Sequence, residues 1–447
     1  MMTRLDRLWP LRASMLARPP SRDAIGAFRN RQLRALIAHA YERVPYYREL
    51  LDRTGVKPED VRTVADLSAI PITSKKELQS LRESHVVARG TDPRRLLIHR
   101  TSGSTGEPST IRRSIFEETL LGFFQRRALS YFGVRMFDRR ARILLVPPKE
   151  AQGASFGVRV FRRLSNLRTI MIHCLLEPDE IVRALRQTRP HIIIGVSGVM
   201  ARVAEAMDGG DRRVIAPRLV LLGSEVLTSL MRRQIHGGFG APIFDMYFSR
   251  EFTLIGWECR ETGELHTCDD GLIVEVLKDG RPAAPGEAGE LIGTSLHSFS
   301  MPFIRYRLGD IVTNGSPLCV CGEPFATIRE IRGRTVEFFE LPDGRMLHPW
   351  EIMLLFRDQA RWIQQYQLVQ ERRNCVVLRA VGKYAPSARD LAFLTESVGA
   401  LLGPQVEFSV ELLPEIRPGP TGKVRVFQAF TEVGDSSTPR TTGRAVP

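Results

Sequence analysis

Apolar residues follow a helical spacing near the start of the chain. Positions 33, 36, 37, 40 and 41 are apolar at intervals of three and four residues, which predicts an amphipathic helix that ends before Pro45. A Val-Pro-Tyr-Tyr-Arg turn is expected at residues 44–48. Residues 73–77 place a Ser or Thr cap ahead of a Glu, and this pattern predicts the start of a second helix.

Through the middle of the chain, short apolar runs alternate with segments of helical spacing. The runs are residues 143–146, 191–194, 219–222 and 242–244. Strands that alternate with helices predict a parallel sheet of the α/β class. Two later segments, residues 272–277 and 290–296, are separated by Gly-containing loops and predict an antiparallel β subdomain.

The length of 447 residues is too great for one hydrophobic core and predicts two or more lobes. Apolar residues make up 43% and charged residues 26% of the chain, as in ordinary globular proteins. No apolar run reaches the length of a membrane span. The first twenty residues lack the continuous apolar core of a signal peptide. We therefore expect a soluble cytoplasmic protein without a membrane partner, with an organelle presequence as the alternative.

A formal net charge of +14 raises the question of nucleic-acid binding. Of the 64 basic residues only seven are lysines, and the arginines are scattered over the whole chain. No basic stripe interleaved with aromatic residues and no DNA-binding motif occurs. The charge therefore indicates a solvated, arginine-rich surface, and no nucleic-acid partner is expected.

A hydroxyl-rich loop follows the apolar run at residues 96–98. Its residues are Thr101, Ser102, Gly103, Ser104, Thr105 and Gly106. Their N–H and O–H donors can surround phosphate oxygens, since glycine lets the backbone approach an anion closely. Glu-Pro follows where the P-loop of nucleoside triphosphatases has Lys-Ser or Lys-Thr, so a different type of phosphate clamp is indicated. A plain turn is the alternative.

Further polar motifs come later in the chain, most of them at or after predicted strands. In chain order they are Gly223-Ser224-Glu225, Tyr247-Phe248-Ser249-Arg250-Glu251, Tyr306-Arg307-Leu308-Gly309-Asp310, Ile331-Arg332-Gly333-Arg334 and a Gly-Pro-Thr-Gly-Lys loop that ends at Lys423. The first of them lies at a strand end, where the sheets of α/β proteins bind ligands. Taken singly, several of these motifs also fit a structural role, such as a solvated loop lysine or a charged strand.

Together with the hydroxyl-rich loop, these motifs resemble, in their order, those of the adenylate-forming enzymes, which include acyl-CoA synthetases, luciferases and peptide-synthetase adenylation domains. The N-terminal region is similar to that of phenylacetate–CoA ligases and their capsule-biosynthesis relatives. The resemblance implies a large N-terminal lobe at residues 1–332, with mixed sheets, helices and a β subdomain. It further implies a small mobile α+β lobe at residues 333–433. The Gly-Asp-Ser-Ser-Thr-Pro run that follows predicts a disordered tail at residues 434–447.

The resemblance also implies a role for each motif around ATP. The loop at residues 101–106 would hold the phosphates, and the turn at residues 223–225 would lie against the adenine. Tyr247 would stack on the adenine, and Glu251 would bind the Mg²⁺ of ATP. Asp310 would bind both ribose hydroxyls, a task suited to a carboxylate because it accepts two hydrogen bonds.

Lys423 would bridge the carboxylate and the α-phosphate in the transition state. Arg334 would lie in the hinge beside the nucleotide. Three positions depart from the family pattern: Phe248 replaces a glycine that borders the acyl pocket, Arg250 replaces a hydroxyl residue at the α-phosphate, and Val336 replaces an aspartate. An arginine can still serve that phosphate with a charged, forked donor.

The implied reaction activates a carboxylic acid with ATP to an acyl-adenylate and pyrophosphate, and then transfers the acyl group to a thiol, with CoA favoured. Phe248, Phe252 and Trp257 favour an aromatic or compact acid. Two alternatives stay open: transfer to an amine or to a carrier-protein thiol, and a nucleotide-binding homologue without turnover. A homodimer also stays open.

Four metal-binding side chains stand in two pairs, Cys259 with His266 and Cys319 with Cys321. The first pair flanks a Gly-containing hairpin, and the second forms a Cys-x-Cys-Gly knuckle. Three thiolates and one imidazole predict a closed, structural Zn²⁺ site with no open position for catalysis. The alternatives are two unrelated pairs without metal, or Cys268 in place of one ligand.

Overall fold

The computed structural model describes residues 20–100, 110–135, 137–144, 168–334, 339–347, 349–356, 362–417, 419 and 425–430. The helices are α1 (Arg22–Arg43), α2 (Pro45–Thr54), α3 (Lys75–Ser80), α4 (Glu83–Val86), α5 (Ile115–Tyr131), α6 (Pro178–Thr188), α7 (Ser197–Ala206), α8 (Gly209–Val214), α9 (Ser229–Phe239), α10 (Pro349–Phe356) and α11 (Ala388–Leu402). Short 3-10 helices lie at Pro58–Asp60, Val64–Ala69 and Pro93–Arg95.

The strands alternate with these helices through the middle of the chain, as the α/β class requires. They are β1 (Leu96–Arg100), β2 (Thr110–Ser114), β3 (Arg140–Leu144), β4 (Thr169–His173), β5 (Ile192–Val196), β6 (Leu219–Gly223), β7 (Ile243–Ser249), β8 (Thr253–Glu258), β9 (Leu265–Thr267), β10 (Leu272–Lys278), β11 (Arg281–Pro282), β12 (Ala288–Ser295), β13 (Tyr306–Asn314), β14 (Thr327–Arg334), β15 (Phe339–Glu340), β16 (Met346–Leu347), β17 (Ile363–Arg372), β18 (Cys375–Gly382), β19 (Glu407–Leu412) and β20 (Phe427–Gln428).

The described residues fall into two compact units. The larger unit contains most residues up to 334, and the smaller contains most residues from 339 onward. The domain limits predicted from the sequence, at residues 332 and 433, stay predictions, and the tail at residues 434–447 lies outside the described residues. Within the described ranges, no helix combines the length and the apolar character needed to cross a lipid bilayer.

The predicted amphipathic helix is confirmed as α1, which buries its apolar positions in the core of the larger unit. It ends at Arg43 because the residue before a proline, Val44, is driven into an extended conformation. The turn predicted at residues 44–48 is wrong. Pro45 instead starts α2, because a proline at the first helical position lacks only an N–H that would be unpaired there anyway. The second predicted helix start is confirmed at α3, where Ser74 caps the Glu77 N–H.

The predicted parallel sheet is confirmed. Strands β4, β3, β5, β6 and β7 are neighbours in that order, and every pair is parallel. Helices α6, α7 and α9 contribute buried residues to one core cluster with these strands. The central strand β6 is apolar and buried at every position, because a parallel strand between helices is covered on both faces.

The two predicted antiparallel segments are confirmed as β10 and β12, which pair antiparallel with each other, and they continue the parallel sheet instead of forming a sheet of their own. β7 pairs antiparallel with β8, and the sheet continues through β9, β14, β13, β12, β10 and β11 to a total of twelve strands. The continuity arises because the short turn after β7 returns the chain along the free edge of the same strand.

A separate two-stranded hairpin, β1 with β2, precedes α5. Its register runs from Leu96 opposite Ser114 to Arg100 opposite Thr110. Ser114 caps α5 by accepting a hydrogen bond from the Glu117 N–H, and the Glu117 carboxylate accepts from the Ser114 N–H in return. The residues that connect the two strands, 101–109, lie outside the described residues.

The smaller unit has a four-stranded sheet in the order β19, β18, β17, β20, with α11 packed on β19. Gly344 adopts a positive φ of 81° in the turn between β15 and β16, and α10 starts at Pro349. The combination of strands and helices agrees with the α+β lobe expected from the sequence.

A buried ion pair links α5 to the antiparallel part of the large sheet. Arg127 donates two hydrogen bonds of 2.7 Å to the Asp270 carboxylate, and its guanidinium lies 4.7 Å from the centre of the Phe325 ring. Burial opposes its charge, but Asp270 holds the pKa of Arg127 above its ordinary value. The pair therefore stays ionised inside the core.

Replacing Asp270 with Asn is expected to lower the free energy of unfolding by about 3–5 kcal/mol, because it leaves the buried Arg127 charge without its counter-charge. Chemical denaturation, monitored by tryptophan fluorescence, measures the loss of unfolding free energy. Lys278→Met is the control. It breaks an exposed ion pair with Glu287, so its unfolding midpoint should stay near that of the unmodified protein. Equal midpoints for both variants would contradict the prediction.

Candidate functional site

Tyr247 on β7 and Asp310 on β13 meet inside the larger unit. The Tyr247 hydroxyl donates a hydrogen bond of 2.5 Å to Asp310 Oδ2, and both side chains are buried. The two residues are 63 positions apart in the sequence. The large sheet therefore brings together the residues predicted to contact the adenine and the ribose.

The turn between β7 and β8 carries Arg250 and Glu251. Glu251 is buried, and its Oε1 accepts a hydrogen bond of 3.4 Å from the Tyr306 hydroxyl. Arg250 is exposed at the tip of the same turn. Tyr306 precedes Asp310 by four positions on β13, so one strand holds both carboxylates, Glu251 through Tyr306 and Asp310 directly.

The turn at Gly223-Ser224-Glu225 follows β6, next to β7. A Cβ on Gly223 would lie 2.6 Å from the backbone oxygen of Met246, so only glycine fits against the neighbouring strand. Ser224 has a φ of 73°, in the left-handed region. Glu225 accepts a hydrogen bond of 2.8 Å from the Gly198 N–H at the start of α7. The strained turn lies at the carboxyl end of the parallel strands, as predicted.

Two buried residues of this region were not among the predicted site residues. Arg113 on β2 donates from Nη2 to the backbone oxygens of Arg250, at 2.5 Å, and Glu251, at 2.7 Å. Tyr306 contacts Glu251 as described above. A signal for Arg113 was present in the sequence, because the two-residue period of a strand places it on the same face as Ile111, which is buried.

Several predicted site residues cannot be placed. Thr101, Ser102, Gly103, Ser104, Thr105, Gly106, Val336 and Lys423 lie outside the described residues. The backbone of Arg334 ends β14 opposite Asp310. This pairing brings the predicted hinge to the strand that carries the predicted ribose ligand. The roles of these residues stay predictions.

Comparison with known proteins relates this arrangement to a known fold. No protein-family model matches the chain. The phenylacetate-coenzyme A ligase of Thermus thermophilus is 26% identical over 370 residues, which cover 79% of this chain and 80% of that protein. Protein CapK of Staphylococcus aureus is 22% identical over 392 residues, which cover 85% of this chain and 84% of CapK. A crystal structure of 2-hydroxyisobutyryl-CoA ligase in complex with 2-HIB-AMP matches with a TM-score of 0.76 at 18% identity, over 97% of this chain and 94% of that chain.

This is the fold of the adenylate-forming CoA ligases. By sequence, the chain is similar to phenylacetate-coenzyme A ligases and to CapK. The resemblance inferred from the ordered motifs is therefore confirmed, and so is the fold class.

The adenylate-forming fold of this chain also contains a cluster of three cysteines and one histidine. The ligand atoms of Cys259, His266, Cys319 and Cys321 all lie within 4.8 Å of one another. The Sγ atoms of Cys259 and Cys319 are 3.7 Å apart, and Cys321 Sγ lies 3.3 Å from His266 Nε2. Two thiolates bound to one tetrahedral Zn²⁺ are about 3.8 Å apart. The donor set and its spacing therefore fit the predicted ion.

The protonation of the cluster is also suited to a metal. Burial lowers the pKa of His266 to about 4, so its imidazole is neutral at pH 7. Burial by itself would raise the pKa of Cys259, but hydrogen bonds from Thr262 and from the Glu261 N–H bring it down to about 7. Burial raises the pKa of Cys321 to about 12, and a bound cation would reverse that shift because it favours the thiolate. Cys268 is not part of the cluster and instead lies 3.5 Å from Arg127.

Gly223→Ala is expected to lower the free energy of unfolding by about 1–3 kcal/mol, because the added methyl group overlaps the backbone of β7. Gly237→Ala is the matched control, since Gly237 lies in α9 with nothing within 4 Å of the added Cβ. It should gain up to about 1 kcal/mol from helix propensity. Denaturation of both variants measures the difference, and a Gly223→Ala protein as stable as the control would refute the close approach.

Proposed function

We propose that this protein is an ATP-dependent, AMP-forming acid–thiol ligase. The observation that carries the proposal is a pair of buried contacts in an adenylate-forming fold: Tyr247 bonds Asp310, and Tyr306, on the same strand as Asp310, bonds Glu251. A buried carboxylate on β13 and a second one on the β7–β8 turn give two anionic groups for one nucleotide. Asp310 would accept hydrogen bonds from the ribose hydroxyls, and Glu251 would bind the Mg²⁺ of ATP.

In the first half-reaction, a carboxylate oxygen of the acid attacks the α-phosphorus of MgATP, and pyrophosphate leaves. The loop at residues 101–106, Arg250 and Lys423 would stabilise the charge on the phosphate oxygens, and Tyr247 with residues 223–225 would hold the adenine. In the second half-reaction, a thiol attacks the acyl carbon and AMP leaves. CoA is the proposed thiol because it is the acceptor in the names of several relatives.

The position of Phe248 indicates which class of acid the protein would accept. It is partly buried against a hydrophobic core cluster that contains Phe132 and Met246, and its ring lies 3.8 Å from the position of a Cβ on Gly223. A phenyl ring in place of a small residue beside this turn would shorten an acyl pocket there. An aromatic or compact acid is therefore the proposed substrate.

Exchange of labelled pyrophosphate into ATP, measured with a panel of carboxylic acids, tests the proposal. We expect exchange with at least one aromatic or compact acid. Acceptors are tested next, with CoA, a carrier-protein thiol and an amine in parallel, because the competing acceptors share the first half-reaction. ATP binding without exchange for any acid would favour the second candidate, a nucleotide-binding homologue that lacks turnover. The altered positions at Phe248 and Arg250 are the observation that keeps this candidate open.

We further propose that Cys259, His266, Cys319 and Cys321 bind one structural Zn²⁺ ion, for which their spacing and neutral imidazole are the support. The cluster would join the β8–β9 hairpin to the loop before β14. All six cysteines are free, as in proteins of reducing compartments, and this supports the cytoplasm as the proposed location. A homodimer stays a hypothesis.

Asp310→Ala is expected to weaken AMP binding at least about tenfold, because hydrogen bonds to a charged group contribute about 1.5–3 kcal/mol each. Calorimetry with AMP and with 2′,3′-dideoxy-AMP separates a ribose contact from a structural effect. The unmodified protein should prefer AMP, and the variant should bind both nucleotides equally weakly. A variant that still discriminates between them would show that Asp310 does not bind the ribose.

Purified protein is expected to contain about one Zn²⁺ ion per chain by elemental analysis. Cys319→Ser with Cys321→Ser should lose the ion and unfold at a lower temperature, because the site would link two loops. Cys174→Ser is the control, since Cys174 is buried outside the cluster, and it should retain the ion. Metal-free protein of unchanged melting temperature would contradict the zinc proposal.

A further inference from the structure

Arg113 is a buried arginine on β2, the second strand of the hairpin that precedes α5. Only 3% of its surface is exposed. A buried guanidinium is costly unless its N–H groups and its charge both find partners. Burial lowers the pKa of Arg113 from its ordinary value, and Glu118 opposes that shift. Among the described residues its Nε has no hydrogen-bond partner, so the two terminal nitrogens make all of its compensating contacts.

The contacts of Arg113 point in two directions. Its Nη2 donates to the backbone oxygens of Arg250 and Glu251, and its Nη1 lies 3.5 Å from Glu118 Oε2 on α5. The same Glu118 oxygen lies 3.2 Å from His99 Nε2 on β1. Burial by itself would raise the pKa of Glu118, but His99 and Arg113 hold it below its ordinary value. Both strands of the hairpin are thus joined, through side chains, to the turn that carries Glu251.

The carboxylate of Glu251 has a hydrogen bond that does not involve Arg113. Its carboxylate accepts from the Tyr306 hydroxyl on β13, while its backbone oxygen accepts from Arg113 on β2. Inside the turn, the Phe252 N–H donates to the Ser249 hydroxyl at 3.0 Å. Because a turn of three residues has few backbone bonds of its own, contacts at both ends of Glu251 decide where its carboxylate points.

We propose that Arg113 is a positioning residue for Glu251, and that its two bonds to the turn backbone set the place of the Mg²⁺ that accompanies ATP. The inference rests on the proposed function, since it assigns Mg²⁺ to Glu251. Arg113 does not contact the ion or the nucleotide in this scheme. It acts through the backbone of residues 250–251, and the fork of its guanidinium suits it to contact two carbonyls and a carboxylate at once.

The variants are Arg113→Lys and Arg113→Met. Lysine keeps the charge beside Glu118, but a single ammonium on a shorter reach cannot reproduce the planar fork. Arg112→Gln is the matched control on the same strand, because Arg112 faces away and pairs with the partly exposed Glu83 at 2.7 Å. If Arg113→Met does not fold, Arg113→Lys alone carries the test.

The measurement is the affinity for ATP by calorimetry, with Mg²⁺ and with EDTA, beside the affinity for AMP in EDTA. We expect Arg113→Lys to reduce the gain in ATP affinity that Mg²⁺ provides by at least about fivefold, with AMP affinity within about twofold of the unmodified protein. Arg112→Gln should leave all three values unchanged. Added to Glu251→Gln, Arg113→Lys should reduce the Mg²⁺ effect no further, because both changes remove the same interaction.

Three results would overturn the inference. If Mg²⁺ raises the ATP affinity of Arg113→Lys as much as that of the unmodified protein, the guanidinium of Arg113 is not needed to position the turn. Equal loss of AMP affinity and Mg²⁺ effect would indicate general damage to the fold, and additive effects in the double variant would show that Arg113 does not act through Glu251. If the unmodified protein binds MgATP but shows no pyrophosphate exchange, the proposed ligase activity fails. The effect of Arg113→Lys on MgATP affinity still tests the positioning role in that case. If it binds no MgATP, both proposals fail.

Discussion

The double pairing of β7 is the constraint on which the rest of the larger unit depends. One edge of this strand pairs in parallel with β6, and the other edge pairs antiparallel with β8. Each edge of a strand makes its own ladder of hydrogen bonds, so a sheet can change direction there without a break. The turn that follows β7 therefore lies at the carboxyl end of the parallel strands, where open α/β sheets bind ligands. Tyr247, near the end of β7, and Glu251, in the turn, therefore both lie at this ligand-binding edge of the sheet.

Helix α5 carries buried charged residues that pair with several other elements of the larger unit. Its first turn carries Glu117, which accepts hydrogen bonds of 2.6 Å from the N–H groups of Phe299 and Ser300. Glu118 follows and faces Arg113. Farther along the helix, Arg127 pairs with Asp270. Because charges inside a protein interact strongly and are costly when unpaired, each of them ties α5 to one element of the unit. The helix thereby holds the hairpin, the large sheet and the loop before β13 in a single arrangement.

The cysteine and histidine cluster meets a different need. The knuckle that carries Cys319 and Cys321 leaves its neighbouring apolar side chains in solvent, since Val320 is 86% exposed and Leu318 is 49% exposed. A bound metal supplies free energy to small elements that bury little apolar surface in many proteins. His266 lies on β9 and pairs through its backbone with Thr327 on β14, so the proposed ion would reinforce a junction that the sheet already makes.

The sequence by itself determined the class of the fold, the helix boundaries at Val44 and Ser74, and the four side chains that meet in the cysteine and histidine cluster. These features depend on local spacing, capping and donor chemistry, which neighbouring residues decide. It did not determine that the antiparallel strands continue the parallel sheet, nor that Tyr306 and Arg113 hold Glu251. Those contacts join residues 55 and 138 positions apart, and only the pairing of distant strands brings such residues within hydrogen-bonding distance. The two-residue period of β2 places Arg113 on the buried face, but no local pattern reveals Glu118 and the turn backbone, the partners that offset the cost of burying its charge.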